Sequence, residues 1–441
     1  MPDPGRPRTA LTRRGRRLLA GGAALLACGA LLGERPVVQL AVFVLALPLV
    51  AAGVVTRERF RLAVRRTLPS ARIPRGRSTD VLLDITGTGP RTGGVWLLTE
   101  QLPPTLGPDP RFTVTGLSAG RTTSLRYRIT PARRGRYSVG PMRSLVMDPF
   151  GLVERTATGT GGAPLLVLPR VQSLGSAGPL EGNGSGDGSR RSAAVHGEDD
   201  VSIREYRRGD DLRKVHWRAT ARTGELKVRL EERPWRARAT LLLDARAPAH
   251  LLARRDERAP DDSLEWAVEA AASIATALVR RGTEVRVVTE SGELLGTGGG
   301  TPGTGGPEDL LDRLATLTPS PRTDLGLAVG TATRGSGEGQ LVCLLGALGP
   351  VDVAHLVGAR PGSSTDLAVL LDLGSWVSAV RGHRSGASAA LTALAEQREE
   401  AAAQLRAAGW RVAVARAGDP VARVWAALAG SPSVPGTRAG R

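Results

Sequence analysis

The sequence predicts a mixed, three-part architecture: a transmembrane helical hairpin, an immunoglobulin-like β-sandwich and a doubly wound α/β domain. Three observations predict it. Two charge-free apolar runs lie close together near the N-terminus, the middle of the chain breaks into short apolar runs separated by Gly, Pro and Asp, and the last part alternates strand-like and helix-like patterns. The expected boundaries are a basic tail over 1–17, two spans within 18–56, a β-sandwich over 62–170, a Gly/Ser-rich linker over 171–200, a charge-dense segment over 201–235, an α/β domain over 236–430 and a disordered tail over 431–441. At 441 residues and 41% apolar content the chain has material for two or three domains with cores of their own.

The hairpin comes first. Arg6, Arg8, Arg13, Arg14, Arg16 and Arg17 precede an apolar run from Leu18 to Leu32, Gly33-Glu34-Arg35 interrupts it, and a second run goes from Pro36 to Val55. Because about 20 helical residues match a hydrocarbon core of about 30 Å, the second run is a full span and the first, at about fifteen, a short one. Arg57, Arg59, Arg61, Arg65 and Arg66 crowd the far end. Cations at both open ends of a tight hairpin place both termini inside, so the expected location is the inner (plasma) membrane, multi-pass, with the soluble domains cytoplasmic. The alternative is an exported lipoprotein: Leu25-Leu26-Ala27-Cys28 after a basic region reads as a lipoprotein signal with its lipid on Cys28, and Arg13-Arg14 suggests twin-arginine export. Against it, cleavage at Cys28 would leave a second full-length apolar run followed by arginines that prefer the cytoplasm. Cys28 and Cys343 are the two cysteines, so no disulfide framework is expected.

A net charge of +18 invites a nucleic-acid reading, which the distribution of the charge opposes. Of the 60 cationic residues only Lys214 and Lys227 are lysines, and with abundant Ala and Gly this skew is that of a high-GC, actinobacterial-type coding sequence. A nucleic-acid binder gathers basic residues on one face and interleaves aromatics for stacking. Aromatics total 3% here and the arginines are scattered among acids, so no nucleic-acid partner is expected.

Between Thr67 and Pro169 seven short apolar runs stand out: Val81 to Ile85, Val95 to Leu98, Phe112 to Val114, Leu125 to Ile129, Tyr137 to Val139, Leu145 to Val146 and Leu165 to Leu168. Leu125, Tyr127 and Ile129 alternate with Arg126 and Arg128, the period of a strand with one wet face. About seven such strands suit an immunoglobulin-like sandwich. From Gln172 to Asp200 the chain turns to Gly, Ser and Asn without apolar periodicity, which predicts a linker.

In the charge-dense segment, Asp210 caps an expected helix from Asp211 to about Arg222, Gly224 suits its left-handed exit, and Leu226, Val228 and Leu230 alternate as a strand. Further on, Ala239 to Leu243, Val285 to Val288, Leu341 to Leu345, Leu367 to Leu371 and Val412 to Ala415 read as buried strands. Helices are expected from Leu264 to Leu278, with Asp262 as cap and Glu265 three residues on, and around Leu310 to Leu317, Leu325 to Thr331, Val351 to Val357, Ala387 to Ala408 and Val421 to Leu428. This alternation implies a mostly parallel sheet covered on both faces.

Ser202 to Glu232, SIREYRRGDDLRKVHWRATARTGELKVRLEE, resembles the signature of the bacterial "domain of unknown function 58" family, with Glu-Tyr, Gly-Asp-Asp, an Arg, a Trp, then Ala-Arg and a strand. A second block, Arg133-Arg134-Gly135-Arg136-Tyr137-Ser138-Val139-Gly140-Pro141 followed by Asp148-Pro149-Phe150-Gly151-Leu152, is similar to that family as well. The resemblance implies a paired membrane segment, a β-rich domain, a von Willebrand factor A-like α/β domain, and a MoxR-type AAA+ ATPase as partner. It attaches no reaction.

Von Willebrand A domains that bind Mg²⁺ offer Asp-x-Ser-x-Ser, a Thr from a second loop and a later Asp, all oxygen donors suited to a hard cation. Here the first loop reads Asp244-Ala245-Arg246-Ala247-Pro248, so Arg246 and Pro248 stand where the serines belong; Thr323 fits the second loop, while Leu345-Gly346-Ala347 offers no carboxylate. No metal is expected, and Asp244 is left to pair with Arg246 or to cap a helix. The Gly-rich stretch Gly296 to Gly306 lacks the Gly-Lys-Ser/Thr end of a phosphate loop and reads as a linker, so no cofactor is expected. Within the signature, Glu205, Asp210, Asp211 and His216 have acid–base chemistry, yet no nucleophile constellation accompanies them. Glu205, Asp210 and Asp211 are expected to pair with Arg204, Arg213 and Arg222 in a docking or structural segment that also holds Tyr206, with Trp217 in the core and His216 hydrogen-bonded rather than metal-bound. Phe150 is expected beneath a tight turn. The expected function is a non-enzymatic, membrane-anchored adaptor; the alternatives are a hydrolase using the acidic/His cluster, or a basic binder of nucleic acid or anionic lipid.

Overall fold

The computed structural model describes residues 7–57, 62–87, 95–115, 117, 120–148, 150–159, 161–175, 202–206, 215, 217–230, 238–252, 262–297, 306–334, 339–359, 366–381 and 389–430. The chain forms two units, one of residues 1–170 with two short later pieces and the other of most of 171–441.

In the first unit the N-terminal strand β1 (Arg8–Leu11) leads into helix α1 (Arg13–Leu32) and then α2 (Arg35–Arg57). Both helices are long and apolar enough to cross a membrane, with mean hydropathy 1.3 and 2.5. Thr12 caps α1 by accepting from the Gly15 N–H, and Gly33 closes the helix in the left-handed conformation at φ 71°. The two helices meet along Gly22 and Gly29, both buried and seven residues apart, while buried Gly15 faces the Leu152 carbonyl, 2.2 Å from where its Cβ would stand. A Cβ on Gly22 would stand 2.9 Å from Leu45, and one on Gly29 3.0 Å from Val37, so the absent side chains set the close approach. The stretch expected as a basic tail over 1–17 contains a strand: β1 pairs antiparallel with β10 (Val153–Thr158), in register Arg8 with Thr156.

Among the described residues of this unit, ten strands follow the hairpin. Besides β10 they are β2 (Leu62–Thr67), β3 (Arg72–Pro74), β4 (Thr79–Gly87), β5 (Val95–Glu100), β6 (Arg111–Thr115), β7 (Thr122–Ile129), β8 (Gly135–Val139), β9 (Met142–Met147) and β11 (Ala163–Leu168). They assemble as β1-β10-β9-β5-β6, β3-β11-β8 and β2-β4-β7. The seven apolar runs of the sequence each fall in one of these strands. β2, β3 and β10 escape that pattern because LAVRRT, RIP and VERTAT carry too few apolar residues. Alternation is clean on β4, where Val81, Leu83 and Ile85 are buried and Leu82 is not. These residues join Trp96, Leu98, Ile129, Val146, Leu165 and Val167 in one core shared by the three sheets, as a β-sandwich requires.

In the second unit a small antiparallel pair, β12 (Ser202–Glu205) with β13 (Lys227–Leu230), carries the short helix α3 (Trp217–Thr223) in its connection. The main sheet holds β14 (Arg238–Leu243), β15 (Glu284–Thr289), β16 (Gly292–Thr297), β17 (Gln340–Leu345), β18 (Leu367–Leu371) and β19 (Arg411–Ala415). Its order is β16-β15-β14-β17-β18-β19, parallel except for the antiparallel edge strand β16. The helices are α4 (Ser263–Arg280), α5 (Pro307–Thr316), α6 (Gly326–Thr333), α7 (Pro350–Ala359), α8 (Leu373–Arg381), α9 (Ala389–Ala407) and α10 (Val421–Gly430). On one face Leu242, Cys343 and Leu370 pack with Val329, Leu356 and Leu405 of α6, α7 and α9. On the other, α4 lies on β14, β15 and β17 and packs against α10. Asp262 caps α4 by accepting from the Glu265 N–H at 2.7 Å. β16 and α8 were not foreseen: GELLGT opens the Gly-rich stretch, and LGSWVSAVR is a short segment with small residues at its start.

Candidate functional site

A doubly wound sheet diverges where consecutive connections run to opposite sides, and the crevice at the carboxyl ends of the strands there is the habitual ligand position. In this order the divergence falls between β14 and β17. Asp244 follows β14 directly, and Gly346-Ala347 follow β17. The loop before α6 supplies Thr323, and the first turn of α7 supplies Asp352.

Arg246 fills this crevice. Its Nε donates to Asp244 Oδ1 at 2.9 Å and its Nη2 to Asp244 Oδ2 at 2.9 Å, a fork matched to the carboxylate. Nη1 donates to Asp352 Oδ2 at 3.0 Å and to the Thr323 carbonyl at 2.8 Å, and Nη2 also reaches the Ala347 carbonyl at 3.2 Å. Asp244 is fully buried and Arg246 is 3% exposed, so these bonds form out of water. Burial opposes the Arg246 charge, yet the hydrogen bonds and charge of Asp244, and then of Asp352, outweigh it and hold the guanidinium above its ordinary pKa.

Backbone donors take further lone pairs on both carboxylates. Asp244 takes the Arg246 N–H on Oδ1 at 3.1 Å and the Gly346 N–H on Oδ2 at 3.3 Å. Asp352 takes the Leu325 N–H on Oδ1 at 3.3 Å and the Gly349 N–H on Oδ2 at 3.0 Å. Gly346 has to be glycine for packing, since a Cβ there would stand 2.1 Å from the Ala249 carbonyl oxygen. A second layer supports the loop. Glu290 accepts from the Ala245 N–H at 2.9 Å, and His250 Nε2 sits 2.7 Å from the Asp244 carbonyl. That oxygen can only accept, so Nε2 carries the proton and Nδ1 accepts from the Ser263 hydroxyl at 3.1 Å. Burial pushes His250 below the usual imidazole value and keeps it neutral against the opposing pull of Asp244.

This donor set does not fit Mg²⁺. The position between the two carboxylates belongs to a guanidinium, which cannot ligate and repels a cation. Thr323 offers its carbonyl to Arg246, and Pro248 lies exposed in a 3-10 turn over Ala247–Ala249. Sequence reasoning missed Asp352, which lies beyond the loop it searched. The available signal was an acid three residues after Gly349 at a helix start, the spacing at which a side chain reaches back to the preceding N–H.

The signature residues are placed in part. Arg204 and Glu205 lie on β12, and Tyr206 continues it through its N–H to the Leu226 carbonyl at 2.8 Å. Val215 bridges to Val228, both buried, and Gly224 exits α3 at φ 73°. Asp210, Asp211, Arg213 and His216 lie outside the described residues, as do 176–201, 231–237, 298–305 and 431–441 of the expected linkers, segment and tail. One expectation is corrected: Trp217 is not core but 70% exposed at the first position of α3. Arg222 is exposed at the end of that helix, and Asp210 and Asp211, two of the acids expected to pair with the arginines, lie outside the described residues.

Fold and site together define a chain with two candidate membrane-spanning helices, a β-rich unit and a doubly wound α/β unit whose switch point is closed by a buried ion cluster. Residues 202–372, from the signature through β18, match the family model described as "Protein of unknown function DUF58", which supports the family that the signature resembles. No curated protein matches the chain. Among solved structures, the CARDB domain of the PF1109 protein from Pyrococcus furiosus is similar over 24% of this chain and 93% of its own, at 15% identity and a TM-score of 0.18. A beta-glucosidase from Listeria innocua is similar over 25% of this chain and 16% of its own, at 16% identity and a TM-score of 0.15. Scores of this size establish no shared fold.

Proposed function

We propose that the chain is a membrane-anchored, cytoplasm-facing adaptor that uses the carboxyl edge of a degenerate von Willebrand A-like domain to dock a MoxR-type AAA+ ATPase. The observation that carries this reading is Arg246: by satisfying Asp244 and Asp352 it turns a crevice suited to a ligand into a fixed ionic bolt. That edge also presents an exposed surface. Val351 in the first turn of α7 and Leu327 in the first turn of α6 stand 65% and 45% exposed beside the bolt, apolar anchors on a rigid frame. The ATPase as partner, and the von Willebrand comparison itself, rest on the resemblance of the two signature blocks.

The test uses the full chain in lipid discs and a purified MoxR-type ATPase from the same cell. Binding is expected for the wild type and a loss of at least about tenfold for Val351→Glu with Leu327→Glu, since charges in a desolvated interface centre cost upwards of about 1.4 kcal/mol. No binding by the wild type, or equal binding by the double variant, overturns the docking face. Reporters fused after Glu34 and after Arg441 check the orientation: the account requires the first outside and the second inside.

A further inference from the structure

We infer that the turn following β9 is a membrane foot, with the Phe150 ring seated in the headgroup boundary of the bilayer that the helical hairpin crosses. The inference rests on the anchoring read above and adds to it a lipid-binding surface on the β-rich unit.

The turn is built around Asp148. Its buried carboxylate accepts from the N–H groups of Phe150 at 3.0 Å, Leu152 at 2.7 Å and Val153 at 2.6 Å, and Gly151 takes a left-handed φ of 65°. A turn held by three such bonds has no need of an apolar plug, and Phe150 projects with 67% of its surface exposed, contrary to its expected place beneath the turn. The same turn is tied to both ends of the hairpin. The Thr12 hydroxyl donates to the Gly151 carbonyl at 2.6 Å and the Thr12 N–H to the Leu152 carbonyl at 2.9 Å, at the start of α1. At the end of α2, Arg155 Nη1 donates to the carbonyls of Val55 at 2.7 Å and Thr56 at 3.1 Å. Leu152 and Val153 pack with Ala51 and Val55, burying the joint.

These ties set the height of the ring relative to the bilayer. The exposed Arg13, Arg14, Arg16 and Arg17 occupy the first turns of α1, and cations at a span's end sit among phosphates. Arg14 Nη1 lies 4.0 Å from where a Cβ on Gly151 would stand, which puts Phe150 beside the same headgroups. An apolar ring fixed there gains by entering the boundary, about 5–10 Å into the leaflet, and stays exposed to water if no lipid is present.

The experiment compares Phe150→Trp with Phe43→Trp, an exposed position inside α2, in full-length chain reconstituted in discs whose lipids are brominated at shallow or deep acyl positions, with wild-type quenching of the seven native tryptophans subtracted. The expected result is quenching of the Phe150 reporter, stronger with shallow than with deep bromines, and of the Phe43 reporter with the deep label. Quenching at 43 without quenching at 150 overturns the foot and leaves the anchor standing. Quenching at neither position overturns both.

Discussion

Each unit buries an arginine against carboxylate, and the two do so to different ends. In the β-rich unit Arg66 of β2 donates to Glu100 of β5 at 2.5 and 3.2 Å, with side chains 6% and 0% exposed, and joins strands of two different sheets. It is one cation for one anion, a neutral staple. In the α/β unit one guanidinium serves two carboxylates and two backbone carbonyls, and joins four loops at the place where this architecture habitually receives a ligand. The same chemistry is a cross-brace in the first case and an occupied site in the second. What separates them is position in the topology, since neither the burial nor the bond lengths would distinguish a brace from a blocked crevice.

The largest expected effect breaks the α/β bolt. Arg246→Ala in the full chain strands Asp244 and Asp352 together out of water and is expected to cost about 3–5 kcal/mol of stability, measured by denaturant unfolding in detergent. If the comparison holds, the sandwich staple behaves differently on full replacement: Arg66→Ala costs a similar amount, but Arg66→Met with Glu100→Leu recovers most of it, because a neutral pair can be exchanged for packing. Recovery is expected to fail at the bolt with Arg246→Met and Asp244→Leu, where Asp352 remains buried without its partner.

A smaller effect follows from His250. Its pKa is depressed by burial, so the unfolded chain binds the proton more readily than the folded one. The contribution is fully present above the unfolded value of about 6.5 and is lost as pH falls from there through the depressed folded value, with a slope of at most about 1.4 kcal/mol per pH unit. Stability measured between neutral and mildly acidic pH should show this slope in the wild type and lose it in His250→Gln. The smallest effect is Trp217→Ala, expected within about 0.5 kcal/mol because the ring is exposed; a cost of several kcal/mol would return Trp217 to a core.

Much of the fold was legible because periodicity and caps act locally. The alternation of Val81, Leu83 and Ile85, the apolar strands of the main sheet, Asp262 before α4 and Gly224 after α3 are each decided by neighbours within a few residues. Arg246, two residues after Asp244, was already legible as a partner for that carboxylate. Its second partner was out of reach, since Asp352 lies 106 positions further on and meets Arg246 only through the sheet order. β1 was hidden for a similar reason. Arg8-Thr9-Ala10-Leu11 reads as a basic tail until β10 is there to pair with it. Phe150 and Trp217 were misplaced because aromatic rings are assigned to cores by default, and neither the Asp148 turn nor the start of α3 provides one.

The central claim is that a guanidinium fills the crevice at the switch point and leaves no place there for a cation, and thermal unfolding of the full chain with and without millimolar Mg²⁺ tests it most directly. The account predicts the same midpoint in both conditions. A Mg²⁺-dependent rise that disappears in Asp244→Asn would contradict it.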